Sequence, residues 1–365
     1  MHRLAPGATI GILGNGQLGR MLALAAARLG YRTHVYGPER DSPAEQVASD
    51  STIAAYEDAN ALAGFAAAVD AVTFEFENVP VKCAQELAAR VRVRPDPKVL
   101  EIAQDRIKEK QFFASIGAAT PTWAIVSRRK DLDSALKTTG APSVLKTARL
   151  GYDGKGQAKL KSPADADAAW AAVTGPNPDG DDGFAVLEAF VDFRCEVSVI
   201  VARSEDGHVV PFEPAENDHA NHVLSTSLVP ARIDPATART AVDIATRAAR
   251  ALDLVGLLAV EMFVTPSGDV LCNEMAPRPH NSGHWTMDAG GVDQFEQLVR
   301  AVAGLPLLTP VRHADVTMVN LIGDDVNQLE RYLKDESARV HLYGKKETRP
   351  GRKMGHVNLL RARQS

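Results

Sequence analysis

The chain opens with short apolar runs separated by Ala-rich stretches of helical spacing. Residues 9–13 are continuously apolar but too few for a helix, so they read as a buried strand. Residues 17–30 carry helical spacing and end on Gly30, a helix stop. Residues 33–36 and 71–74 repeat the strand pattern, and 58–69 and 81–90 the helical one. This alternation predicts a parallel sheet with helices on both faces. At Arg94-Pro-Asp-Pro97 the pattern breaks. Two prolines so spaced suit neither a helix interior nor a central strand, so a boundary is expected there.

Further on, 107–116 reads as a helix, 122–126 and 143–146 as strands, and 151–156 as a Gly-rich loop. A helix at 165–173 precedes a turn-forming run of Gly, Pro and Asp at 175–183. Residues 185–187, 196–202 and 209–212 fit an antiparallel sheet, and 235–252 a long Ala/Arg helix. Runs at 257–264 and 269–275 flank Pro266-Ser-Gly268, a hairpin signal. A helix at 294–302, a strand at 316–322 and a basic loop at 345–353 complete the pattern. The N-terminal part is thus α/β and the remainder α+β.

At 365 residues the chain has room for two or three domains, and 45% hydrophobic with 24% charged residues is ordinary globular composition. With 41 basic and 46 acidic side chains the formal charge is −5, which disfavours sequence-blind nucleic-acid binding. Any anion site must therefore concentrate its positive charge locally. Cys83, Cys195 and Cys272 are odd in number and far apart, so a reduced, cytoplasmic protein is expected. Neither a secretory signal nor a membrane span is expected, because no run approaches the ~18 apolar residues a span requires.

Five motifs carry chemistry. Gly14-Asn15-Gly16-Gln17-Leu18-Gly19 joins a strand to a helix, with Glu39 and Asp41 about twenty residues on, as a dinucleotide fingerprint asks. Read alone, it fits a tight turn, a phosphate cradle or an NAD-dependent oxidoreductase. Arg149-Leu-Gly151-Tyr152-Asp153-Gly154-Lys155-Gly156 has the glycines and cations of a flap over polyphosphate, but not the Walker ending. Glu261 and Glu274 are equidistant from a turn centred between Ser267 and Gly268, so an even-length loop would set them opposite each other. Opposed carboxylates roughly 5 Å apart repel by about 3 kcal/mol at an effective dielectric of 20. A cation or a shared proton is expected between them, and Mg²⁺ suits this set. Arg278, His280 and Asn281, on the Pro/Gly-broken run 277–285, could clamp a small oxyanion. Arg349, Arg352 and Lys353 surround a Pro-Gly bend, which would suit a phosphomonoester or merely a solvated basic loop. Glu75, Glu77 and Asn78 end a predicted parallel strand, where ligands gather in open sheets. His219 and His222 are set aside as metal ligands for want of a third nearby in sequence.

In this order the motifs resemble the ATP-grasp superfamily and, within it, the 5-(carboxyamino)imidazole ribonucleotide synthase family, also described as the ATPase subunit of phosphoribosylaminoimidazole carboxylase. The strings GNGQLGRM (14–21), GYDGKGQ (151–157), EVS (196–198), EMFVTPSG (261–268), NEMAPRPHNSGHW (273–285) and RPGRKMGH (349–356) carry the likeness. It implies an ATP-grasp fold: a Rossmann-like N-terminal domain (1–96), a small lid (97–190) and a larger mixed-sheet domain (191–365) with a subdomain at 310–365.

The resemblance also implies a cytoplasmic carbon–nitrogen ligase of purine synthesis. ATP and bicarbonate would form carboxyphosphate, whose carbon passes to the exocyclic amine of aminoimidazole ribonucleotide. On this likeness Glu261 and Glu274 would hold Mg²⁺, with Mn²⁺ as a substitute. Arg106, Lys146, Gly151, Gly154, Lys155 and Gly156 would serve the ATP phosphates, joined by Lys110. Glu188 would sit at the adenine hinge and Glu196 at the ribose. Arg278, His280 and Asn281 would hold bicarbonate, with Tyr152 closing over it and Asp153 orienting or deprotonating the amine. Asn15, Gly16, Gln17, Leu18 and Glu75 would meet the ribonucleotide, and Arg349, Arg352 and Lys353 its phosphate. A homodimer and hand-off to the mutase of the next step are expected, with no nucleic acid or membrane partner. Ala276 stands where many ATP-grasp ligases place an Asn metal ligand, and Leu150 where related loops often carry a glycine. The rival ligase is a formate-dependent glycinamide ribonucleotide transformylase. A non-catalytic nucleotide-binding regulator is the alternative outside enzymes.

Overall fold

The computed structural model describes residues 3–149, 151, 156–174 and 185–363. The expected turn at 175–183, and Leu150, Tyr152, Asp153, Gly154 and Lys155, lie outside them.

Four parallel strands form the N-terminal sheet, in the order Asp50–Ile53, Arg32–Gly37, Thr9–Leu13, Ala71–Phe74. Both faces are covered, which is why the inner strand Thr9–Leu13 carries almost only apolar residues, while its neighbour Arg32–Gly37 buries Thr33 and His34 as well. Ile10, Ile12 and Val35 pack with Leu18, Met21 and Leu22 of the helix Gln17–Arg28. Leu13, Val72 and Phe74 pack on the other face with Leu62, Phe65 and Leu87. The strand Asp50–Ile53 escapes the sequence reading because it is polar and, lying at an edge, never fully buried. At the expected boundary the chain instead starts a helix. Asp96 accepts from the Lys98 amide at 2.9 Å, and Pro97 takes the first helical position of Pro97–Ala103, where its missing N–H costs nothing.

Trp123–Val126, Ala185–Ala189, Ser143–Thr147 and Gln157–Leu160 make a small antiparallel sheet. One face packs Val126, Leu145, Leu160 and Leu187 against Leu132, Leu136 and Trp170. On the opposite face Val144 pairs with Glu188, so Lys146 stands diagonally across from that glutamate.

The third sheet has nine strands. Its path runs Val270–Ala276, Gly256–Val264, Cys195–Arg203, Ala215–Ala220, Val223–Val229, Ala314–Ile322, Lys353–Ala362, Ala338–Leu342, with Val209–Pro211 beside Cys195–Arg203. Every pairing in it is antiparallel, a narrower result than the mixed sheet expected. The helix Pro235–Ala251 covers one face through Val197, Val199, Leu258 and Val260. Gln294–Ala303 covers the other through Ile200, Leu257 and Ala259. The segment 185–187, expected beside 196–202, belongs to the small sheet. The basic loop ends at Lys353, which opens the last strand. Among the described residues no helix is long and apolar enough to cross a membrane.

Candidate active site

A cleft of about 830 Å³ is lined by residues of the two antiparallel sheets, together with Gln17, Leu18 and the segment 75–78 that follows the last strand of the N-terminal sheet. Glu261 and Glu274 are register partners and both line it. The route to that register differs from the expected even-length loop. Met262 pairs with Cys272 and Val264 with Val270, so the loop is odd and centred on Ser267. A bulge at Asn273 then brings Glu274 opposite Glu261. Met262 and Cys272 join the buried core, whereas Asn273 and Glu274 both line the cleft.

Each of the two carboxylates has a side-chain partner of its own. The Arg106 guanidinium lies 3.2 Å from Glu274, and His280 Nε2 lies 3.0 Å from Glu261. Burial pushes the Glu261 carboxyl up, the His280 hydrogen bond and charge pull it down, and the net is below the ordinary carboxylate range. The cation or shared proton expected beside the pair has side-chain candidates in Arg106 and His280. His219, set aside in the sequence, lies 3.4 Å from Glu196, and atoms of Glu196, His219 and Glu261 fall within 4.8 Å of one another. Strand pairing supplies the neighbours that sequence distance hid.

Lys146 donates to Glu188 at 2.8 Å and to the Asn273 amide oxygen at 3.4 Å. Glu188 is also in ion-pair contact with Lys110 at 2.9 Å. Lys110 is 1% exposed and held in that pair. The Glu188 side chain is likewise held, by Lys146 and Lys110, and the segment 188–191 lines the cleft. Glu109, unnoticed in the sequence, accepts from the Met275 amide at 2.6 Å. Burial drives its carboxyl up to about 8 against the pull of Arg106 and Lys110. Only its position one helical turn after the cap Asp105 could have pointed to it.

Arg278 donates to Glu77 and, at 2.9 Å, to the carbonyl of Pro279. His280 Nδ1 lies 2.8 Å from the Ser282 hydroxyl. Asn281 is buried at its amide group, and neither amide atom has a hydrogen-bond partner among the described residues. An orphaned donor and acceptor beside a cationic arginine is what a small oxyanion or its acid would satisfy.

In the glycine motif the amides at the helix start are met from within the chain. The amides of Gly16 and Gly19 donate to the two oxygens of Glu75, the second at 2.6 Å. A Cβ on Gly16 would lie 2.7 Å from a Glu75 oxygen, so a larger residue there would push that carboxylate aside. An internal carboxylate thus occupies the anion position at the helix start that a dinucleotide pyrophosphate would need. Gln17, Leu18, Glu75 and Lys353 line the cleft; Asn15 instead donates to the Glu39 carbonyl at 2.6 Å. Arg349 pairs with Glu347 at 2.6 Å and is 68% exposed, and Arg352 donates to the Glu347 carbonyl at 3.0 Å. Lys345 donates to the Lys353 carbonyl at 2.8 Å. Burial, then Arg352 and Lys353, lower its ammonium to about 8. Gly151 lines the cleft and Gly156 follows the segment outside the described residues.

Comparison with known proteins finds three consecutive family matches. A ribonucleotide synthetase preATP-grasp domain matches residues 7–104, an ATP-grasp domain 111–295, and a phosphoribosylaminoimidazole carboxylase C-terminal domain 316–365. The chain is 51% identical over 362 residues to the N5-carboxyaminoimidazole ribonucleotide synthase of Brucella melitensis, covering 99% of this chain and 98% of that protein. It is 42% identical to the corresponding Bacillus subtilis enzyme, covering 98% and 92%. Among solved structures, an ADP complex of an N5-carboxyaminoimidazole ribonucleotide synthetase superposes with a TM-score of 0.93 at 42% identity, covering 99% and 94%. The Aspergillus clavatus enzyme in complex with ADP and 5-aminoimidazole ribonucleotide superposes at 0.90 with 27% identity, covering 98% and 94%.

Proposed function

The chain belongs to the N5-carboxyaminoimidazole ribonucleotide synthase family of ATP-grasp ligases and carries out the ATP-dependent conversion of aminoimidazole ribonucleotide to its N5-carboxyamino product in purine biosynthesis; from that premise we propose how its cleft divides the work.

ATP lies between the small sheet and the large one. Lys146 and Arg106 face its phosphates, and the main chain of 188–191 meets the base. Glu196 and His219 face the sugar side. Glu261 and Glu274 offer hard oxygen donors from one sheet face, a set that fits Mg²⁺ or Mn²⁺. When bound there, the ion would neutralise charge on the phosphates being transferred. Arg278, His280 and Asn281 hold bicarbonate. One bicarbonate oxygen bonds to the γ-phosphorus as the bond to ADP breaks, giving carboxyphosphate. The exocyclic amine then takes the carboxyl carbon, and phosphate leaves. Tyr152 and Asp153 retain their expected roles of closing the flap and handling the amine proton. Gln17, Leu18 and Glu75 orient the ribonucleotide, with Asn15 and Gly16 shaping the turn beneath it. Lys353, Arg352 and Arg349 attract its phosphate. The working parts are 1–96, 97–190 and 191–365, the last including 310–365. Homodimeric assembly and transfer of the product to the following mutase complete the proposal.

The observation that carries it is the convergence of the acidic pair, the unpartnered Asn281 amide and the Glu75–Lys353 end in one cleft. The test measures ADP release by the purified chain with ATP and Mg²⁺. Release should require both bicarbonate and aminoimidazole ribonucleotide. Equal release with formate in place of bicarbonate would defeat the assignment of Arg278, His280 and Asn281.

A further inference from the structure

Glu77 is charged, largely buried and unused in the steps above. It follows Glu75 by two residues, just beyond the strand Ala71–Phe74, and its carboxylate accepts a hydrogen bond from Nε of Arg278. The Arg278 and Glu77 side chains are only 14% and 21% exposed, so water screens their attraction little. Burial pushes the Glu77 carboxyl up, the Arg278 charge and hydrogen bond pull it down, and it ends below the ordinary carboxylate range. The segment is itself pinned. Gln104 Nε2 donates to the carbonyls of Glu77 and Val79, each at 2.6 Å. With Nε on Glu77 and Nη1 on the Pro279 carbonyl, the guanidinium plane is fixed. Among the described residues Nη2 has no protein acceptor, and Arg278 lines the cleft together with Asn281.

We propose that Glu77 is a positioning residue that aims Arg278 at the bicarbonate-derived group and, through the segment 75–77, links that aim to the ribonucleotide end of the cleft. The inference rests on the reading of Arg278 as a bicarbonate ligand. A planar guanidinium recognises a carboxylate or phosphate only when its fork is correctly presented. If the aim is lost, carboxyphosphate meets water before it meets the amine. Its hydrolysis returns bicarbonate and phosphate, so ADP accumulates with no carboxyamino product.

The test compares Glu77→Gln, Glu77→Asp, Arg278→Ala and the Glu77→Gln/Arg278→Ala double variant, measuring ADP and carboxyamino product separately. Glu77→Gln should raise the KM for bicarbonate about tenfold, leave that for ATP within about twofold, and lower product per ADP. Glu77→Asp should recover part of the loss, and it carries the test alone if the Gln variant fails to fold. In the Arg278→Ala background, Glu77→Gln should add nothing, because both changes remove one function. An unchanged bicarbonate KM and product ratio in the Glu77 variants overturns the inference. So does a parallel rise in the KM for ATP, or strict additivity in the double variant. If Arg278→Ala itself leaves the bicarbonate KM unaltered, the reading of Arg278 fails as well. If Arg278→Ala raises it while Glu77→Gln does not, only the role of Glu77 falls.

Discussion

At Glu109, burial outweighs two neighbouring cations and raises the carboxyl from 4.5 to about 8. The unfolded chain loses this proton near pH 4.5, while the native state keeps it to about pH 8. Between those values the native state binds more protons, so stability falls as pH rises. Glu109→Gln keeps an acceptor for the Met275 amide and removes the titration. Its melting temperature relative to the parent should therefore climb between about pH 5 and pH 8; a constant difference would contradict the raised value. Glu274→Gln removes one carboxylate of the pair and strands the Arg106 charge. Turnover should fall by at least about a hundredfold with the circular dichroism spectrum unchanged. Activity near the parent level would dismiss the ligand role. The residue types of this site were legible in the sequence, because facing glutamates in apolar strands have few structural excuses. Their partners were not. Arg106 and His280 are distant in sequence from the glutamates they contact, and His219 reaches its acidic neighbours only through strand pairing.

At the level of elements, the turn from Thr9–Leu13 into Gln17–Arg28 is completed by a side chain rather than by a ligand. Glu75→Ala would leave the Gly16 and Gly19 amides without their acceptor, a loss of about 1–3 kcal/mol. It would also vacate an anion position at a helix start. The variant should melt lower than the parent and regain stability in inorganic phosphate, whereas the parent should show no such response. Equal phosphate responses would mean that Glu75 does not guard the position. The spacing of the glycines predicts the turn but cannot reveal its occupant, which is brought in from another strand. Elements with apolar periodicity were legible nearly to the residue, including Thr9–Leu13 and Ala71–Phe74. The cleft-lining strands Gly256–Val264 and Val270–Ala276 were legible in the same way, but Ala215–Ala220 was not. The strand Ala215–Ala220 reads Ala-Glu-Asn-Asp-His-Ala, and its polar side chains hide it from any hydrophobic template. The same applies to the bulge at Asn273, since one extra residue leaves no mark on composition.

For the whole molecule, the site lies where the small sheet meets the N-terminal part and the large sheet, which share one apolar core through Ile10, Ile12, Leu22, Leu257 and Leu298. Nucleotide bound there should restrain the strand Ala185–Ala189 and its continuation to Val191. Amide exchange across 185–191 should slow on adding ADP with Mg²⁺ and stay unchanged with NAD; identical responses would count against the ATP placement. The alternating pattern at the N-terminus and the motif order made the architecture legible. The division of 185–187 from 196–202 between two sheets was not, because both segments have the same apolar signature. The ion pairs Arg106–Glu274 and His280–Glu261 have a last consequence. A bare divalent ion entering the proposed site would have to displace the Arg106 guanidinium and the His280 ring from the two carboxylates. An ion escorted by a triphosphate would bring anions that can receive the guanidinium in exchange. Metal loading should therefore depend on nucleotide, and equilibrium dialysis should find free Mg²⁺ held far more weakly than the Mg²⁺ of its ADP complex.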